Sequence, residues 1–562
     1  MFSRAAGWLR RERERSGVRR LCQEVEALGR DLTRELELFL QDTRRESPAG
    51  IDLSGIYLSP DLELNLRAIR EGLGSPADLV VRTFTIGSRR PVRAGIAYFD
   101  GMADTMIINQ SLLRPLMLEA RAAEPREGFD RQTAYAVVRE YTLHASEVAE
   151  TANLQELLNR LSAGRTALLL DGFPWAMLVT ARGFKERAVE EPDTESVVRG
   201  PREGFTENIR TNTALLRRKI SNHRLRLEPL TVGRLTRTQV IIAYVEGIAR
   251  EEMVREVRLR LSRIRIDGVL DGAYLEELIQ DQPFSPFPQV QNTERPDRVA
   301  AEILEGRVAI LVDGTPFALL VPAVLAHFIN SPDDYYDRAL GANLIRVVRY
   351  LSGLVALTLP SFYVAIVSFH HEMIPSTLAL SIAAGREAVP FPAFVEALLM
   401  EFTFEVLREA GIRLPRVAGQ AVTIVGALVV GEAAVRAGVV SPIMVIVVAT
   451  TAIASFVMPA FNAALAIRVL RFPLIFLAGA LGFFGIIWGL LALLLHLAAL
   501  RSFGVPYLAP LAPLVPSDLK DVPLRAPRWA MRRRPEMIAE ELVREPAGLR
   551  PGAREGRTGR PS

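Results

Sequence analysis

The sequence predicts an α+β soluble N-terminal region made of two duplicated α/β subdomains, followed by an all-α polytopic membrane domain. Three observations predict it. Mixed polar sequence gives way near Leu344 to about 160 residues of apolar runs that fade after Leu500. In the polar half, GRTALLLDGFPWAMLV at 164–179 recurs as GRVAILVDGTPFALLV at 306–321, with ten of sixteen positions identical. A second pair, TIGSRRPVRAGIAYFDGMA from Thr85 and TVGRLTRTQVIIAYVEGIA from Thr231, precedes the first at nearly the same distance, so one unit occurs twice.

Composition fits such a composite. A chain of 562 residues has room for several domains at roughly 100–200 residues each. A mean hydropathy of +0.18 averages a charged half with an apolar one. The net charge of +4, from 68 basic and 64 acidic residues, is too small to point to nucleic acid. Cys22 is the only cysteine, which excludes an intrachain disulfide and a thiolate metal cluster.

Residues 1–50 read as an Arg-rich segment. Arg10, Arg11, Arg13, Arg15, Arg19 and Arg20 leave no apolar stretch for a secretory signal, so the soluble region is expected on the cytoplasmic side. The segment reads as a solvated charged arm, with anionic headgroups as the alternative partner. The first subdomain is expected over 51–190, a linker helix over 191–225 and the second subdomain over 226–335. In each copy an apolar run ends in an acidic residue and glycine, Asp100-Gly101 or Glu246-Gly247. A later run ends in Asp171-Gly172 or Asp313-Gly314, a hairpin signal because glycine supplies positive φ. Residues 251–263 carry Met253, Val254, Val257 and Leu261 at helical spacing. The repeated aspartates invite an acid–base reading, but no His, Ser or Lys shares their spacing and turn chemistry alone wants Asp there. No nucleotide-binding, zinc-protease or nucleophile-elbow motif occurs in this half. Binding or assembly, without catalysis or cofactor, is the expected task.

The membrane domain is expected over 340–500. Residues 350–369 are long enough, at 1.5 Å each, for a hydrocarbon core of about 30 Å, and Arg346 and Arg349 mark their start as cytoplasmic. His370-His371-Glu372 follows, and adjacent histidines point about 100° apart on a helix, which argues against a shared metal. Residues 374–384, holding Pro375, are too short to cross and read as a broken segment. Residues 391–409 read as an amphipathic helix: Glu401, Glu405 and Glu409 oppose Val395, Leu398, Leu399, Phe402 and Val406. That helix could lie at the interface or collar a pore with an acidic ring. Residues 419–438 form a span studded with glycine and alanine that also carries Gln420, Thr423 and Glu432. A carboxylate in such a span faces an interior or pairs, here with Arg436 one turn on, so ion-path and ion-pair roles both stay open. Further spans are expected over 441–459 and 474–500, the latter with Gly479, Gly482, Gly485 and Gly489 as a packing face. Four spans put both ends on one side. The tail, 501–562, is Pro-rich and basic, and its stretch from Val505 to Pro527 is expected to be extended.

Several long runs resemble the A subunit of the GerA-type spore germination receptors. They are DGVLDGAYLEELIQDQPFSPFPQVQNTERPDRVAAEILEGRVAILVDGTPFALLVP from Asp267, FHHEMIPSTLALSIAAGREAVPFPAFVEALLMEFTFEVLREAGIRLPR from Phe369, GQAVTIVGALVVGEAAVRAGVVSPIMVIVVATTAIASFVMP from Gly419 and LRSFGVPYLAPLAP from Leu500. GFTENIRTNTALLRRKI at 204–220 is similar to the family's segment between the soluble subdomains, and the likeness runs from about Tyr57 to Pro513. It implies a multi-pass protein of the spore inner membrane, working with a transporter-like B subunit that binds the nutrient and a lipoprotein C subunit. It also implies a ring of copies, pentameric, forming a nutrient-gated channel for monovalent cations. Carried onto this chain, the lining helix is 419–438, with Gln420, Thr423, Ala427, Val430 and Ala434 as lining candidates. Glu432, Arg436, Glu401 and Glu405 remain ion-path or ion-pair candidates. The family often has Pro at His371 and a non-ionisable residue at Glu432, so it supports no role for either. The rival reading is a non-conducting scaffold that organises the receptor and transmits its signal.

Overall fold

The computed structural model describes residues 31–41, 53, 55–120, 129, 133–139, 148–181, 191–192, 194–195, 197, 199–413 and 431–544. Helix α1, Leu62–Gly72, is started by Asp61, whose carboxylate accepts the Glu63 and Leu64 N–H groups. Five antiparallel strands follow: β1 Leu79–Ile86, β2 Val92–Phe99, β3 Val148–Thr151, β4 Thr166–Leu170 and β5 Ala176–Val179, ordered β1-β2-β4-β5-β3. Alternation along β2 divides two cores, because successive side chains leave a strand on opposite faces. Ala97 and Phe99 pack with α1 and with α2, Leu154–Ser162, while Ala94, Ile96 and Tyr98 pack with Ile108, Leu112 and Val138.

A second set repeats that order. Helix α3, Ile209–Lys219, precedes β6 Leu225–Val232, β7 Thr238–Val245, β8 Gln291–Thr293, β9 Val308–Val312 and β10 Ala318–Val321, ordered β6-β7-β9-β10-β8. Val240 and Ile242 face α4, Glu251–Arg263, and α5, Gly272–Ile279. Ile241, Ala243 and Val245 face α3 and α6, Pro296–Leu304. An asparagine clamp recurs at the matching position of the two sets. Asn65 accepts from the Ser59 N–H at 2.8 Å and donates to its carbonyl at 2.6 Å. Asn212 does the same with Thr206 at 2.8 and 2.6 Å.

The Asp-Gly turns join each β4–β5 or β9–β10 pair to a helix start. Asp171 accepts the Leu62 N–H at 3.3 Å and Asp313 the Ile209 N–H at 3.2 Å. Gly172 and Gly314 each hold φ +90°. Arg217 and Asp78, both buried, tie the two sets together with an Nη2–Oδ1 distance of 2.9 Å.

The helical region begins with α7, Ala339–Phe369, and continues through α8 Ser376–Arg386, α9 Ala393–Arg413, α10 Gly431–Arg436, α11 Pro442–Phe456, α12 Phe461–Leu481 and α13 Phe483–Ala499. Two of these, α7 and α12, are long and apolar enough to cross a membrane. The single span expected over 474–500 is two helices. Gly482, at φ +62° and ψ −140°, turns the chain, and α13 folds back so that Gly485 lies against Leu477 and Gly489 against Leu474. Arg346 and Arg349, read from sequence as marking the cytoplasmic start of the span, are buried against Asp334 at 2.8 and 3.0 Å. At 31 residues α7 exceeds a hydrocarbon core, so its first turns belong to the soluble side.

The described part of the tail, residues 501–544, is folded against the rest of the chain rather than extended. Arg501–Ser502 pairs with Val505–Pro506, and Phe503, Val505, Ala509 and Val522 enter the same core as Val240 and Ile242. Tyr507 is fully buried among Phe287, Phe328 and Leu497. Ala539 bridges to Ala249. Prolines between these anchors need no ladder partner, so the segment lies along the sheet's helices as a strap.

Candidate functional site: paired charges inside the helical bundle

On helix α9 the acids expected to share one face at an interface or a pore mouth divide between buried and exposed. Glu396 is 0% and Glu401 3% exposed, whereas Phe402 is 66% and Val406 52% exposed. Glu396 and Glu401 point into the bundle and Phe402 and Val406 point out, whereas Glu409 stays exposed beside Arg413, and Phe394, Leu398, Met400 and Phe404 pack inward. Glu401 meets Arg471 of α12 at 2.5 Å, and both are buried. Arg471 also donates through Nε to the Ala356 carbonyl of α7 at 2.8 Å, so one guanidinium joins three helices. Glu405 pairs with Arg468, one turn earlier on α12. Arg408 donates to Ser455 of α11 at 2.8 Å. Glu396 accepts from both the N–H and the hydroxyl of Ser441 at the start of α11, each at 2.5 Å.

These contacts orient the bundle. Glu396 meets the first turn of α11 and Arg408 meets its last, so α9 runs beside α11 in the same direction. The Gly438 position lies against Ala388 and Gly431 against Val445, placing α10 by the start of α11. Gly482 lies against His370 and Phe369, while Leu497, Ala463 and Ala466 pack on Phe287 and Phe328 of the soluble side. The bundle thus has a soluble-domain end and a far end.

Of the lining candidates, Gln420, Thr423, Ala427 and Val430 lie outside the described residues. Ala434 packs partly buried against the cluster holding Val440 and Met444. Glu432 and Arg436 pair with each other at 2.5 Å, both exposed. Glu401 and Glu405 are brought together with arginines that pattern reading missed: Arg468 and Arg471 stand three apart in the apolar run LAIRVLRFPLIF, a signal visible once that run is taken as one helix. The His370 ring lies 4.8 Å from that of Phe483, and among the described residues no His, Asp and Glu trio has a metal-binding arrangement.

Inside one chain the paired charges can hold helices in register but offer no free carboxylate along the pairs. Removal of either partner leaves the other charge buried alone, which is costly in a low-dielectric interior.

Comparison with known proteins adds identity to this geometry. Residues 67–537 match the family described as Bacillus/Clostridium GerA spore germination protein. Spore germination protein KA of Bacillus subtilis (strain 168) is 44% identical over 497 residues, covering 88% of this chain and 90% of that one. Spore germination protein GerLA of Bacillus cereus is 40% identical over 485 residues, covering 85% and 96%. The crystal structure of the N-terminal domain of the A subunit of the Bacillus megaterium spore germinant receptor GerK3 aligns with 37% identity over 48% of this chain and 97% of that chain, at a TM-score of 0.39. With the match spanning most of its length, the chain belongs to the GerA family of spore germination proteins.

Proposed function

We propose that this protein is the A subunit of a nutrient-responsive germination receptor and forms an oligomeric, cation-conducting channel in the spore inner membrane. A transporter-like B subunit and a lipoprotein C subunit are its proposed partners. The observation that carries the reading is the stretch at 419–438 and where its neighbours lie. Gln420, Thr423, Ala427, Val430 and Ala434 are spaced three and four apart in the sequence, the spacing that a single helix face requires. The described residues flanking the stretch, Arg413 and Gly431, follow the soluble-end contact of Arg408 with Ser455 and precede the far-end turn at Gly438. A small, polar face between opposite ends of a bundle suits a water-lined path where copies meet. Ligand binding at the partner then shifts a closed ring to an open one by its differential affinity for the two states.

The duplication belongs to the same proposal. The shared strand order, the matched asparagine clamps and the matched aspartate contacts support two copies of one unit, serving assembly.

Pairing of Glu401 and Glu405 within the chain favours the second reading, a non-conducting scaffold, because it leaves the single bundle closed. The test is cation release from spores carrying Val430→Cys. The channel reading expects altered release kinetics at an unchanged protein level in the membrane; wild-type kinetics through several small-to-large changes at 420, 423, 427 and 430 would reject it in favour of the scaffold.

A further inference from the structure

We propose that the cleft between the C-terminal strap, α6 and residues 324–336 binds a phosphate-bearing ligand, either a soluble phosphorylated molecule or a phospholipid headgroup. The proposal stands apart from the channel reading, since it concerns the soluble side alone.

The cleft has a volume of about 940 Å³, at the large end of small-molecule sites. Nine Lys and Arg side chains line it against five Asp and Glu. The acids are already engaged. Glu302 faces Arg307 at 3.2 Å, Glu305 meets Arg544 at 2.5 Å, and Asp521 meets Arg346 at 3.0 Å. Asp297 meets Arg295 at 2.8 Å, and Asp518 accepts the Glu536 N–H at 2.9 Å. Lys219 and Arg298 pair with Glu203 and Glu195, each at 2.8 Å, which leaves Lys520, Arg525, Arg528, Arg532 and Arg533 with no carboxylate partner among the described residues.

Some of that charge is buried with unfilled donors. Arg307 is fully buried, and its Nη1 has no hydrogen-bond partner among the described residues; the same is true of Nε in Arg525 and in Arg544. An unpaired buried N–H is disfavoured, and three on the residues lining the two sides of the cleft call for an acceptor that the described side chains do not supply. His327, beside Arg307, is no counter-ion. Burial holds its pKa well below the usual histidine value, with Arg307, Arg298 and Arg346 adding to the effect, so it stays neutral. Guanidinium forks pair with phosphate oxygens in bidentate hydrogen bonds, and the surplus of positive charge suits a group with more negative charge than a single carboxylate. Arg532 and Arg533, exposed on the strap, extend the positive field to the rim. Val324, Met537 and Ile538 give the remaining wall apolar surface for the body of the ligand.

A ligand bridging Arg307 on the sheet side to Arg525 and Arg544 on the strap ties the strap down. Asp521 of the strap holds Arg346 at the start of α7, so occupancy stiffens the joint between the soluble region and the helical bundle.

The test is calorimetric titration of the full-length chain in detergent with inorganic pyrophosphate and, separately, dihexanoyl phosphatidylglycerol. At least one probe is expected to bind saturably near one per chain. Binding should weaken at least roughly tenfold in Arg532→Glu/Arg533→Glu, a rim pair whose exposure spares the fold, and also in Arg307→Gln. Arg237→Glu/Arg263→Glu, the same charge change at a distance, should leave affinity unchanged. Pyrophosphate binding identifies a soluble ligand, and binding of the lipid alone identifies a headgroup. Failure of both probes to saturate, affinity untouched by the rim pair and by Arg307→Gln, or an equal loss in the distant pair would overturn the proposal.

Discussion

At residue scale, the Glu401–Arg471 pair decides how the helical bundle is held. Arg471→Leu alone strands Glu401 among α7, α9 and α12 and should cost about 3–5 kcal/mol, read as a lower unfolding midpoint in detergent. The double change Glu401→Leu/Arg471→Leu should restore most of that loss; a double as unstable as the single would show that the pair's worth is not charge compensation. A second residue reports on the soluble side. His223 sits 2.9 Å from Asn159 of the other subdomain, and burial, with Arg226 and Arg224 helping, holds its pKa down to about 4. Its folded value lies below the unfolded value of about 6.5, so its stabilising share is present above about pH 6.5 and fades as pH falls through 4. His223→Gln keeps a hydrogen-bonding group that cannot charge. It should flatten the fall in melting temperature between those pH values by an amount worth about 1 kcal/mol, after discount for its partial exposure. Asp171 and Asp313 were legible as turn residues because local turn chemistry sets them. Glu401 was legible as important but its direction was not: a helix shows which residues share a face, while water or hydrocarbon outside decides which face turns in.

Elements show the same divide. The strands and their Asp-Gly turns could be read from sequence because alternation and turn composition are local. The fold-back at Gly482 could not, since an apolar run has the same hydropathy whether it crosses once or returns. Gly485 carries the decisive packing: a Cβ there would lie 2.1 Å from the Leu477 carbonyl oxygen. Gly485→Val should push α13 off α12 and cost about 2–3 kcal/mol, checked by thermal unfolding in detergent. Stability within 0.5 kcal/mol of the parent would argue that the two helices do not pack as described. The strap is the other element that sequence understated. Its prolines and arginines resemble an unstructured tail, yet Tyr507 and Val522 supply core contacts to elements far away in the chain.

For the whole molecule, the strap closes a circuit from the second sheet through Asp521 to Arg346 and on into α7. Asp521→Ala should loosen that joint, seen as earlier proteolysis within residues 501–544 while the sheets stay intact; unchanged cleavage would show that Asp521 does not secure the strap. Beyond one chain, the account rests on the proposal that the small, polar face of 419–438 lines water between copies. The most direct measurement is thiol labelling by a membrane-impermeant reagent, one introduced cysteine at a time across 419–438, in a Cys22→Ser chain assembled in membranes. The account predicts labelling at Gln420→Cys, Thr423→Cys, Ala427→Cys, Val430→Cys and Ala434→Cys and protection at the positions between them. Protection of all five, or equal labelling around the whole helix, would contradict it.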